Sequence, residues 1–353
     1  MKMKCVVTTG PKQIEIREVE RPKPGYNQVL VKVGACNICT WEQRVYAGEY
    51  PYMIPFNGGH EAAGVIEEIG ENVIPEAYPI GAKVAVKTFD ACGCCYYCRH
   101  GAPNLCTHKL RRSASNTPYE GIKNLGGFSE YIAIDIAGIY FLNPETPIHR
   151  GIFAEPLACV VNSVNVGKPE LGEDVVVIGG GIMGMLHVQL AKLRGCRVIM
   201  SEPDEKRRNL AKEFGADILI NPLEVDVVEE VKKITDGRGA DVVFNTTAIP
   251  AVGQQAVDMV GKLGRVIMYS SQHPDSPIQV SPNWLHSSQA IVTGTVSPSV
   301  LSFEQSVNLL NKNLVETDKL FYGSFPIEKA QEAFETAIRP DTYRCAIDFA
   351  DLD

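Results

Sequence analysis

The sequence lacks any long, uninterrupted apolar segment. Its longest uncharged apolar stretch, residues 175–191, is broken by glycines, His187 and Gln189, whereas a membrane-spanning helix needs about 20 consecutive apolar residues. The opening MKMKCVVTTG also lacks the apolar core of a signal peptide. We therefore expect no membrane association and a cytoplasmic location.

A basic excess is also missing. Lysine and arginine number 34 against 42 aspartate and glutamate residues, which gives a net charge of −8. Proteins that coat nucleic-acid phosphates carry the opposite imbalance, so we expect no nucleic-acid partner. The sequence has no internal repeat or low-complexity segment, and its 353 residues exceed the size at which one hydrophobic core stops growing. A globular protein of two domains is the expectation.

Cysteine, in contrast, is abundant, with 11 residues. In a reducing compartment such a number favours metal ligation or catalysis over disulfide bonds. The excess is local, since most of the cysteines lie at positions 36, 39, 92, 94, 95, 98 and 106. This part of the chain is the first place to look for a metal site.

The two halves of the chain differ in pattern. Up to about residue 150, short β-type runs at 29–33, 63–69 and 83–87 are bounded by turn residues, which is typical of a barrel-like β domain. Beyond it, apolar runs alternate with helix-length segments and predict a doubly wound parallel α/β sheet. The predicted strands are 175–178, 198–201, 218–220, 242–245, 265–269 and 291–293. The remaining tail, with helical segments 300–313 and 327–338 and a strand at 345–349, is too short for a domain and is expected to return to the first one.

Four of the cysteines follow the spacing C-x2-C-x2-C-x7-C; they are Cys92, Cys95, Cys98 and Cys106. Thiolates at such gaps can converge on one tetrahedral ion, and four sulfur ligands with no open position are typical of structural zinc. Cys94 is set aside because it would give a less usual spacing. Two alternatives stay open: separately buried cysteines, and a zinc ribbon that binds nucleic acid through nearby basic residues. Those basic residues are Arg99, His100, Lys109, Arg111 and Arg112.

A second set of possible metal ligands lies on both sides of this four-cysteine lobe, residues 92–106, in the sequence. Its segments are Cys39-Thr-Trp-Glu42, His60-Glu61 and Glu155. One thiolate, one imidazole and one or two carboxylates are the ligand types of an open, catalytic zinc site. Each segment alone is a weak signal, and spacing cannot show that they converge.

A glycine loop directly follows the first predicted strand of the second half. Its sequence, Gly179-Gly-Gly181-Ile-Met-Gly184, matches G-x-G-x-x-G at the start of a helical stretch. Gly179 would form the tight turn, Gly181 would admit a pyrophosphate, and Gly184 would let helix and strand pack closely. We predict a dinucleotide site made of these glycines with Ile182 and Met183.

An acidic residue, Glu202, stands at the end of the next predicted strand. Its carboxylate can accept hydrogen bonds from the adenosine ribose and repel a 2′-phosphate, which favours NAD over NADP. Lys206, Arg207 and Arg208 follow closely, and an arginine can instead bind the 2′-phosphate, so NADP remains the alternative. Arg207 is included in the predicted cofactor site.

Taken in order, these motifs resemble the zinc-dependent medium-chain dehydrogenase/reductase family, and within it the sorbitol (polyol), threonine and butanediol dehydrogenase branch. The resemblance spans essentially the whole chain. It implies a GroES-like catalytic domain of residues 1–152 and 291–353 around a Rossmann domain of residues 153–290. It also implies a homodimer or homotetramer.

The resemblance further implies roles for single residues. Cys39 and His60 would bind a catalytic zinc ion, with Glu155 and Glu61 as alternating or supplementary ligands, while the four-cysteine lobe would hold a structural zinc ion. Arg344 would contact the cofactor pyrophosphate. The expected cofactors are thus two zinc ions per chain and NAD, with zinc as a Lewis acid and NAD as the hydride acceptor.

The sequence departs from the family after the zinc cysteine. Gly, Ser or Thr, and Asp are usual there, whereas this chain has Thr40, Trp41 and Glu42. Trp41 replaces the hydroxyl that starts the proton relay, so the relay would run differently, through Thr40, water and a glutamate. The indole would narrow the pocket mouth or, alternatively, pack between the domains. Glu42 can still orient His60.

The motifs predict an NAD-dependent oxidoreductase, and the family resemblance implies that it acts on a small secondary alcohol of polyol, sugar-alcohol or cyclitol type. The alternatives are a threonine or phosphorylated-polyol dehydrogenase, a zinc-free quinone reductase, and a non-catalytic zinc- and nucleotide-binding protein. No motif defines the substrate pocket. Its candidate wall residues are Trp41, Arg44, Tyr46, Tyr50 and Tyr119.

Overall fold

The structure is a computed structural model that describes residues 1–88, 91–108, 119–272 and 275–352. The chain divides into two compact units. Unit 1 comprises Met1–Ala158 and Ser299–Asp353, and unit 2 comprises Cys159–Pro298. The family resemblance implies divisions somewhat earlier, after residues 152 and 290, whereas the first observed division falls inside the helix Ala154–Gly167.

β-Strands form three sheets in the described part of the chain. In chain order they are β1 (Lys2–Gly10), β2 (Gln13–Glu20), β3 (Gln28–Asn37), β4 (Glu61–Ile69), β5 (Lys83–Val86), β6 (Tyr131–Asp135), β7 (Ile139–Phe141), β8 (Asp174–Ile178), β9 (Arg197–Ser201), β10 (Ile218–Ile220), β11 (Ala240–Asn245), β12 (Val260–Met268), β13 (Ile291–Gly294), β14 (Phe321–Pro326) and β15 (Arg344–Asp348). β1 and β2 form an antiparallel hairpin.

Helices connect these strands in both units. In chain order they are α1 (Thr40–Tyr46), α2 (Tyr96–Arg99), α3 (Ile148–Gly151), α4 (Ala154–Gly167), α5 (Ile182–Leu193), α6 (Glu205–Glu213), α7 (Val227–Ile234), α8 (Pro250–Asp258), α9 (Pro282–Ser288), α10 (Val300–Asn311) and α11 (Ala330–Ala337). Side chains define several of their starts: Asp204 and Asp226 accept backbone N–H groups in the first turns of α6 and α7.

β3 is the central strand of the larger sheet in unit 1. The sheet order is β14-β15-β3-β4-β5-β7, and β6 also pairs with β3. Val29, Val31 and Val33 are fully buried on β3, as expected for alternate residues that face a core. Phe334 of α11 packs into the same core. The predicted barrel-like β domain is confirmed.

Unit 2 contains six parallel strands in the order β10-β9-β8-β11-β12-β13. Every residue of β8 is buried, as expected for a central strand covered on both faces. The winding reverses between β8 and β11, and ligands of such sheets bind beyond the carboxyl ends of the strands at that point. The predicted doubly wound sheet is confirmed.

The helices can also be compared with the requirements of a lipid bilayer. Among the residues that the structure describes, no helix combines the length and apolar character that a membrane crossing requires.

Candidate active site

Two turns at one end of the unit 1 sheet hold Cys39 and His60. Cys39 follows β3 and precedes the first turn of α1, while His60 stands directly before β4. β3 and β4 are paired up to the first residue of β4, which brings both turns to the same end of the sheet. Gly59 has a φ of +92°, and a Cβ there would lie 2.5 Å from the Phe128 nitrogen. Only glycine fits this turn.

Glu42 holds the imidazole of His60. Its Oε1 lies 2.7 Å from Nδ1 of His60 and accepts the Gly59 backbone N–H at 3.1 Å. Burial alone would lower the pKa of His60, but the Glu42 carboxylate and the Cys39 sulfur outweigh it and raise that pKa well above its usual value. With Nδ1 engaged by Glu42, Nε2 is the nitrogen that can act as a metal ligand.

Glu61 and Arg344 form a buried ion pair beside these residues. Nε and Nη2 of Arg344 lie 3.0 and 2.9 Å from the two carboxylate oxygens of Glu61. Nη2 also lies 3.7 Å from the Cys39 sulfur. The guanidinium thus contacts Glu61 and Cys39, because β15 pairs with the end of β3 and its first residue, Arg344, reaches these side chains; the contact with a cofactor pyrophosphate stays a prediction.

Two overlapping sets of side chains could hold a metal ion here. The potential ligand atoms within each set lie within 4.8 Å of one another. The first set is Cys39, Glu42 and His60, and the second is His60, Glu61 and Glu155. Glu155 comes from the first turn of α4. Segments that are distant in the sequence therefore do converge.

The two ligand sets and Arg344 together form the metal cluster of this site. Its three buried glutamates carry more negative charge than the single arginine can balance. Glu42, Glu61 and Glu155 are 2%, 0% and 5% exposed, and Oε2 of Glu42 has no hydrogen-bond partner among the described residues. Burial raises the pKa of the Cys39 thiol, and Glu61 adds to the rise. A divalent cation would offset this buried charge, and a thiolate, imidazole and carboxylate donor set fits zinc.

The four-cysteine lobe has the geometry of a second metal site. Its sulfur–sulfur distances include 3.5 Å for Cys95–Cys98 and 3.9 Å for both Cys92–Cys98 and Cys95–Cys106. Four sulfurs placed about 2.3 Å from a tetrahedral ion lie about 3.8 Å apart. The match indicates that these residues fit a zinc ion with no open position.

Backbone groups stabilise the sulfurs of this lobe. The N–H of Cys95 donates to the Cys92 sulfur at 3.2 Å, and the N–H groups of Cys92 and His108 donate to the Cys106 sulfur at 3.3 Å. Cys94 is exposed and is not part of the four-sulfur group. Lys109, Arg111 and Arg112, part of the basic set considered for a nucleic-acid module, lie outside the described residues.

The glycine loop joins β8 to α5 at the point where the sheet reverses. Gly179 has a φ of +99°, and a Cβ on Gly184 would collide with the Gly179 carbonyl oxygen. A Cβ on Gly181 would have, apart from its chain neighbours, no atom of the described residues within 4 Å. α5 begins with Ile182 and Met183, and no side chain caps its start. Open space above uncapped helical N–H groups suits a pyrophosphate.

Glu202 is fixed beside this loop at the end of β9. Its two carboxylate oxygens accept the backbone N–H groups of Gly180 at 2.5 Å and Asp204 at 2.9 Å. The Cβ of Arg207 is 3.1 Å from where a Cβ on Gly180 would stand. Arg208 donates to the carbonyl oxygens of Glu202 and Pro203 at 2.7 and 2.6 Å. Glu202 and Arg207 therefore both lie at the predicted cofactor loop.

Three of the candidate wall residues have structural partners instead. Tyr46 is 1% exposed and accepts a hydrogen bond from Gln331, so it belongs to the core. The hydroxyl of Tyr119 donates to the Glu20 carbonyl oxygen. Arg44 forms an ion pair with Glu49 at 2.5 Å. Trp41 and Tyr50 stay as candidates, and they stack on each other.

Sequence analysis did not identify two groups of residues near the sites. His108 has its Nδ1 3.7 Å from the Cys92 sulfur, and its position two residues after Cys106 is the signal that could have revealed it. Thr246 donates to the Ile178 carbonyl oxygen at 2.8 Å and packs with Thr247 against Gly179. Their place at the carboxyl end of β11, beside the glycine loop, is the corresponding signal.

Comparisons with known proteins identify the family of this chain. Residues 25–143 match the alcohol dehydrogenase GroES-like domain, and residues 183–312 match the zinc-binding dehydrogenase domain. L-threonine 3-dehydrogenase from Pyrococcus furiosus is 37% identical over 75% of each chain. Sorbitol dehydrogenase from Halalkalibacterium halodurans is 31% identical over 94% of this chain and 95% of its own.

Solved structures of similar proteins share the whole fold. A zinc-binding dehydrogenase from Sinorhizobium meliloti 1021 bound to NADP has a TM-score of 0.88, with 27% identity over 99% of both chains. An alcohol dehydrogenase from Escherichia coli CFT073 complexed with NADH has a TM-score of 0.87, with 26% identity over 98% of this chain and 99% of its own. The chain therefore belongs to the zinc-dependent medium-chain dehydrogenase family and is an oxidoreductase.

Proposed function

We propose that the protein transfers hydride between a small secondary alcohol, of polyol, sugar-alcohol or cyclitol type, and NAD. The observation that carries this proposal is the convergence of Cys39, His60 and Glu155 with Glu61 and Arg344 in unit 1. A thiol, an imidazole and a carboxylate form an open donor set, which leaves a position for a substrate oxygen.

Two zinc ions per chain are part of the proposal. The catalytic ion would be held by Cys39, His60 and a glutamate, and when bound it would supply Lewis-acid polarisation of the substrate hydroxyl. Glu155 is the better third ligand at rest, since both oxygens of Glu61 are hydrogen-bonded to Arg344. The structural ion would be held by the lobe of four thiolates, Cys92, Cys95, Cys98 and Cys106.

Residues around the first site have distinct proposed tasks. Glu42 keeps the His60 ring oriented through Nδ1. Arg344 balances the Glu61 charge and keeps that carboxylate from competing for the cation. Thr40, the first residue of α1, is exposed and supplies a hydroxyl that can pass the substrate proton towards water, in place of the hydroxyl that Trp41 lacks.

The proposed cofactor is NAD, with NADP as the alternative. The pyrophosphate would lie on Gly179, Gly181, Ile182, Met183 and Gly184. Glu202 is held rigidly beside the loop, so its charge would face the adenosine ribose and disfavour a 2′-phosphate. Arg207 would pack beside the adenosine, and its guanidinium is the feature that NADP binding would use.

The domain limits and the assembly are also proposals. Residues 1–152 and 291–353 would form the catalytic domain and residues 153–290 the nucleotide-binding domain. β13 is the last strand in the order of the unit 2 sheet, and edge-to-edge pairing of this strand would produce a homodimer or homotetramer. A cytoplasmic location agrees with the lack of a membrane-crossing helix among the described residues.

A second candidate function is oxidation of threonine. It is favoured by the 37% identity to the L-threonine 3-dehydrogenase of Pyrococcus furiosus. The two candidates differ in the substrate, because threonine carries an ammonium and a carboxylate and a polyol carries neither.

Metal analysis and a substrate panel together test the proposed function. Two zinc ions per chain and NADH formation with polyols, cyclitols or diols are expected. One zinc ion without turnover would favour a non-catalytic protein, and no zinc would favour a quinone reductase. The panel includes threonine and sugar phosphates, each with NAD and NADP, so turnover of threonine alone would favour the second candidate.

Site variants complete this test. Cys39→Ala and His60→Ala should abolish turnover and leave the dissociation constant for NADH within about twofold. Cys36→Ala is the matched control, because Cys36 is buried on β3 outside both ligand sets, and it should retain turnover. Normal kcat in either ligand variant would contradict the assignment.

A further inference from the structure

Trp41 lies close in sequence to residues of the candidate active site. It lies two residues after Cys39, in the first turn of α1, and directly before Glu42, which orients His60. The residue is 37% exposed, although a large aromatic residue is usually buried further. An accessible indole so close to the metal ligands requires an explanation.

Two other aromatic rings fix the position of this indole. Phe56 contacts it edge-on, with ring centroids 5.3 Å apart and an interplanar angle of 78°. Tyr50 stacks on it at 6.2 Å and 26°. Pairs in these arrangements are favourable beyond simple burial. These two ring contacts restrict the rotation of the indole.

Phe56, which contacts the indole, also lies near Glu42, whose carboxylate orients His60. A Cβ placed on Gly58 would lie 2.9 Å from the ring of Phe56 and 2.8 Å from Cγ of Glu42. Phe56 therefore reaches the residue against which Glu42 packs. Trp41 contacts Phe56, and Phe56 and Glu42 both lie against Gly58, so the indole is linked through Phe56 to the residue beside Glu42.

The same helix presents no unbalanced cation beside the indole. Arg44 is paired with Glu49, Nε to Oε2, at 2.5 Å, and its guanidinium carbon lies 5.3 Å from the ring centroid of Tyr50. Glu49 offsets its charge, and the stacking fixes its direction. A carboxylate or phosphate group gains little from such a paired arginine.

We propose that Trp41 is a specificity-determining residue that selects neutral ring-shaped polyols by packing its indole against their C–H face. An indole face is apolar and offers no hydrogen-bond acceptor, and a cyclitol or sugar ring has one face of C–H groups with hydroxyls at its rim. The ring lies flat on Trp41 while one rim hydroxyl reaches the metal cluster. This inference rests on the proposed function and names its substrate class.

Open-chain and charged substrates gain less from this surface. A linear polyol must lose conformational freedom to lie flat on an aromatic ring, and a zwitterion such as threonine presents charge to an apolar surface. The matched pair myo-inositol and sorbitol, which are close in size and number of hydroxyls, separates ring shape from hydroxyl count.

Steady-state kinetics of the zinc-loaded enzyme with NAD test the proposal. The unaltered enzyme should have a higher kcat/KM for myo-inositol than for sorbitol. Trp41→Ala should raise KM for myo-inositol at least tenfold and change KM for sorbitol less than threefold, and Trp41→Phe should give an intermediate value. Tyr26→Ala removes an exposed aromatic ring of unit 1 away from these contacts and should change neither.

Fluorescence gives a readout that does not depend on turnover. The chain has two tryptophans, so Trp284→Phe leaves Trp41 as the sole tryptophan, whose emission is excited selectively at wavelengths that tyrosine does not absorb. Adding myo-inositol without NADH should then change the emission saturably, and threonine should not. Circular dichroism and zinc content establish that the Trp41 variants are folded and loaded.

The outcomes distinguish this inference from the proposed function. Equal effects of Trp41→Ala on myo-inositol and sorbitol, a preference of the unaltered enzyme for sorbitol, or unchanged Trp41 emission would overturn the inference and leave an alcohol dehydrogenase. Absence of turnover with every neutral alcohol would overturn the proposed function itself.

Discussion

Arg344 donates hydrogen bonds to both carboxylate oxygens of Glu61, at 2.9 and 3.0 Å, and the two side chains are 2% and 0% exposed. The pair joins the first residue of β15 to the first residue of β4. Burying two charges is costly, and the loss of one partner leaves the other uncompensated. The two chain segments that form unit 1 therefore depend on each other for stability.

Replacing Arg344 by Met should lower the free energy of unfolding by about 3–5 kcal/mol, because Glu61 then stays buried without its partner. Urea unfolding of the zinc-loaded protein measures this loss. The double variant Arg344→Met with Glu61→Gln should recover part of it, since no buried charge remains. A loss below about 1 kcal/mol in the single variant is the range of an exposed pair and would contradict the burial argument.

Cys92→Ser should remove one of the two proposed zinc ions, since an oxygen in place of one thiolate breaks a four-sulfur site. Elemental analysis should then give about one zinc ion per chain. Cys94→Ser is the matched control in the same loop, because Cys94 is exposed and outside the ligand set, and it should retain both ions. Equal loss of zinc in the two variants would mean that Cys94 is itself a ligand.

Glu202→Ala should reduce discrimination between NAD and NADP. The carboxylate is positioned by the N–H groups of Gly180 and Asp204, and hydrogen bonds to charged groups contribute about 1.5–3 kcal/mol. The ratio of kcat/KM for NAD to that for NADP should therefore fall about tenfold or more. Glu205→Ala is the control, because Glu205 lies on the exposed surface of α6, and it should leave the ratio unchanged. An unchanged ratio in Glu202→Ala would contradict the proposed contact with the ribose.

The sequence pattern predicts unit 2 better than unit 1, for a physical reason. Parallel strands buried on both faces are continuous apolar runs, and the predicted strand 175–178 lies within the observed β8. β2 carries charged residues and is largely exposed, so its sequence shows no apolar run. α4 is buried along nearly its whole length and lacks the polar face by which an amphipathic helix is recognised.

The candidate site shows a similar limit. Cysteine spacing within one loop is local, and the sequence brings Cys92, Cys95 and Cys98 together without help from the rest of the fold. Cys39, Glu155 and Arg344 meet only because β3, α4 and β15 pack together, and no spacing encodes that. The paired state of Arg344 depends on the register of β15 against β3, which sequence reasoning does not supply.

His187, on α5, forms hydrogen bonds within α5 and to α4 inside unit 2. Its Nδ1 lies 2.8 Å from the Met183 carbonyl oxygen and its Nε2 lies 2.9 Å from the Ser163 hydroxyl. The Nδ1–H donates to the carbonyl, so the ring is neutral when Nε2 accepts the serine proton. Burial lowers the pKa of His187 to about 4, although the Met183 carbonyl acts in the opposite direction.

This pKa predicts how the stability of unit 2 depends on pH. An unfolded-state histidine has a pKa of about 6.5, so below that pH the unfolded chain binds a proton that the folded chain does not. Stability is therefore fully present above about pH 6.5 and falls towards pH 4, by about 1.4 kcal/mol per pH unit and about 3 kcal/mol in total. Other titrating groups add their own pH dependence, so the contribution of His187 must be isolated as a difference.

His187→Gln should remove this part of the pH dependence, because glutamine can hydrogen-bond but does not titrate. In a Trp41→Phe background, the emission of Trp284 follows urea unfolding of unit 2 at pH 7, 6, 5 and 4.5. The difference in unfolding free energy between the parent protein and its His187→Gln variant should shrink steadily as the pH falls. His286→Gln alters an exposed histidine of α9 in the same unit and should leave the slope unchanged. If the unfolding free energies of the His187→Gln protein and its parent changed equally with pH, the buried imidazole would take up its proton with no loss of stability, against this prediction.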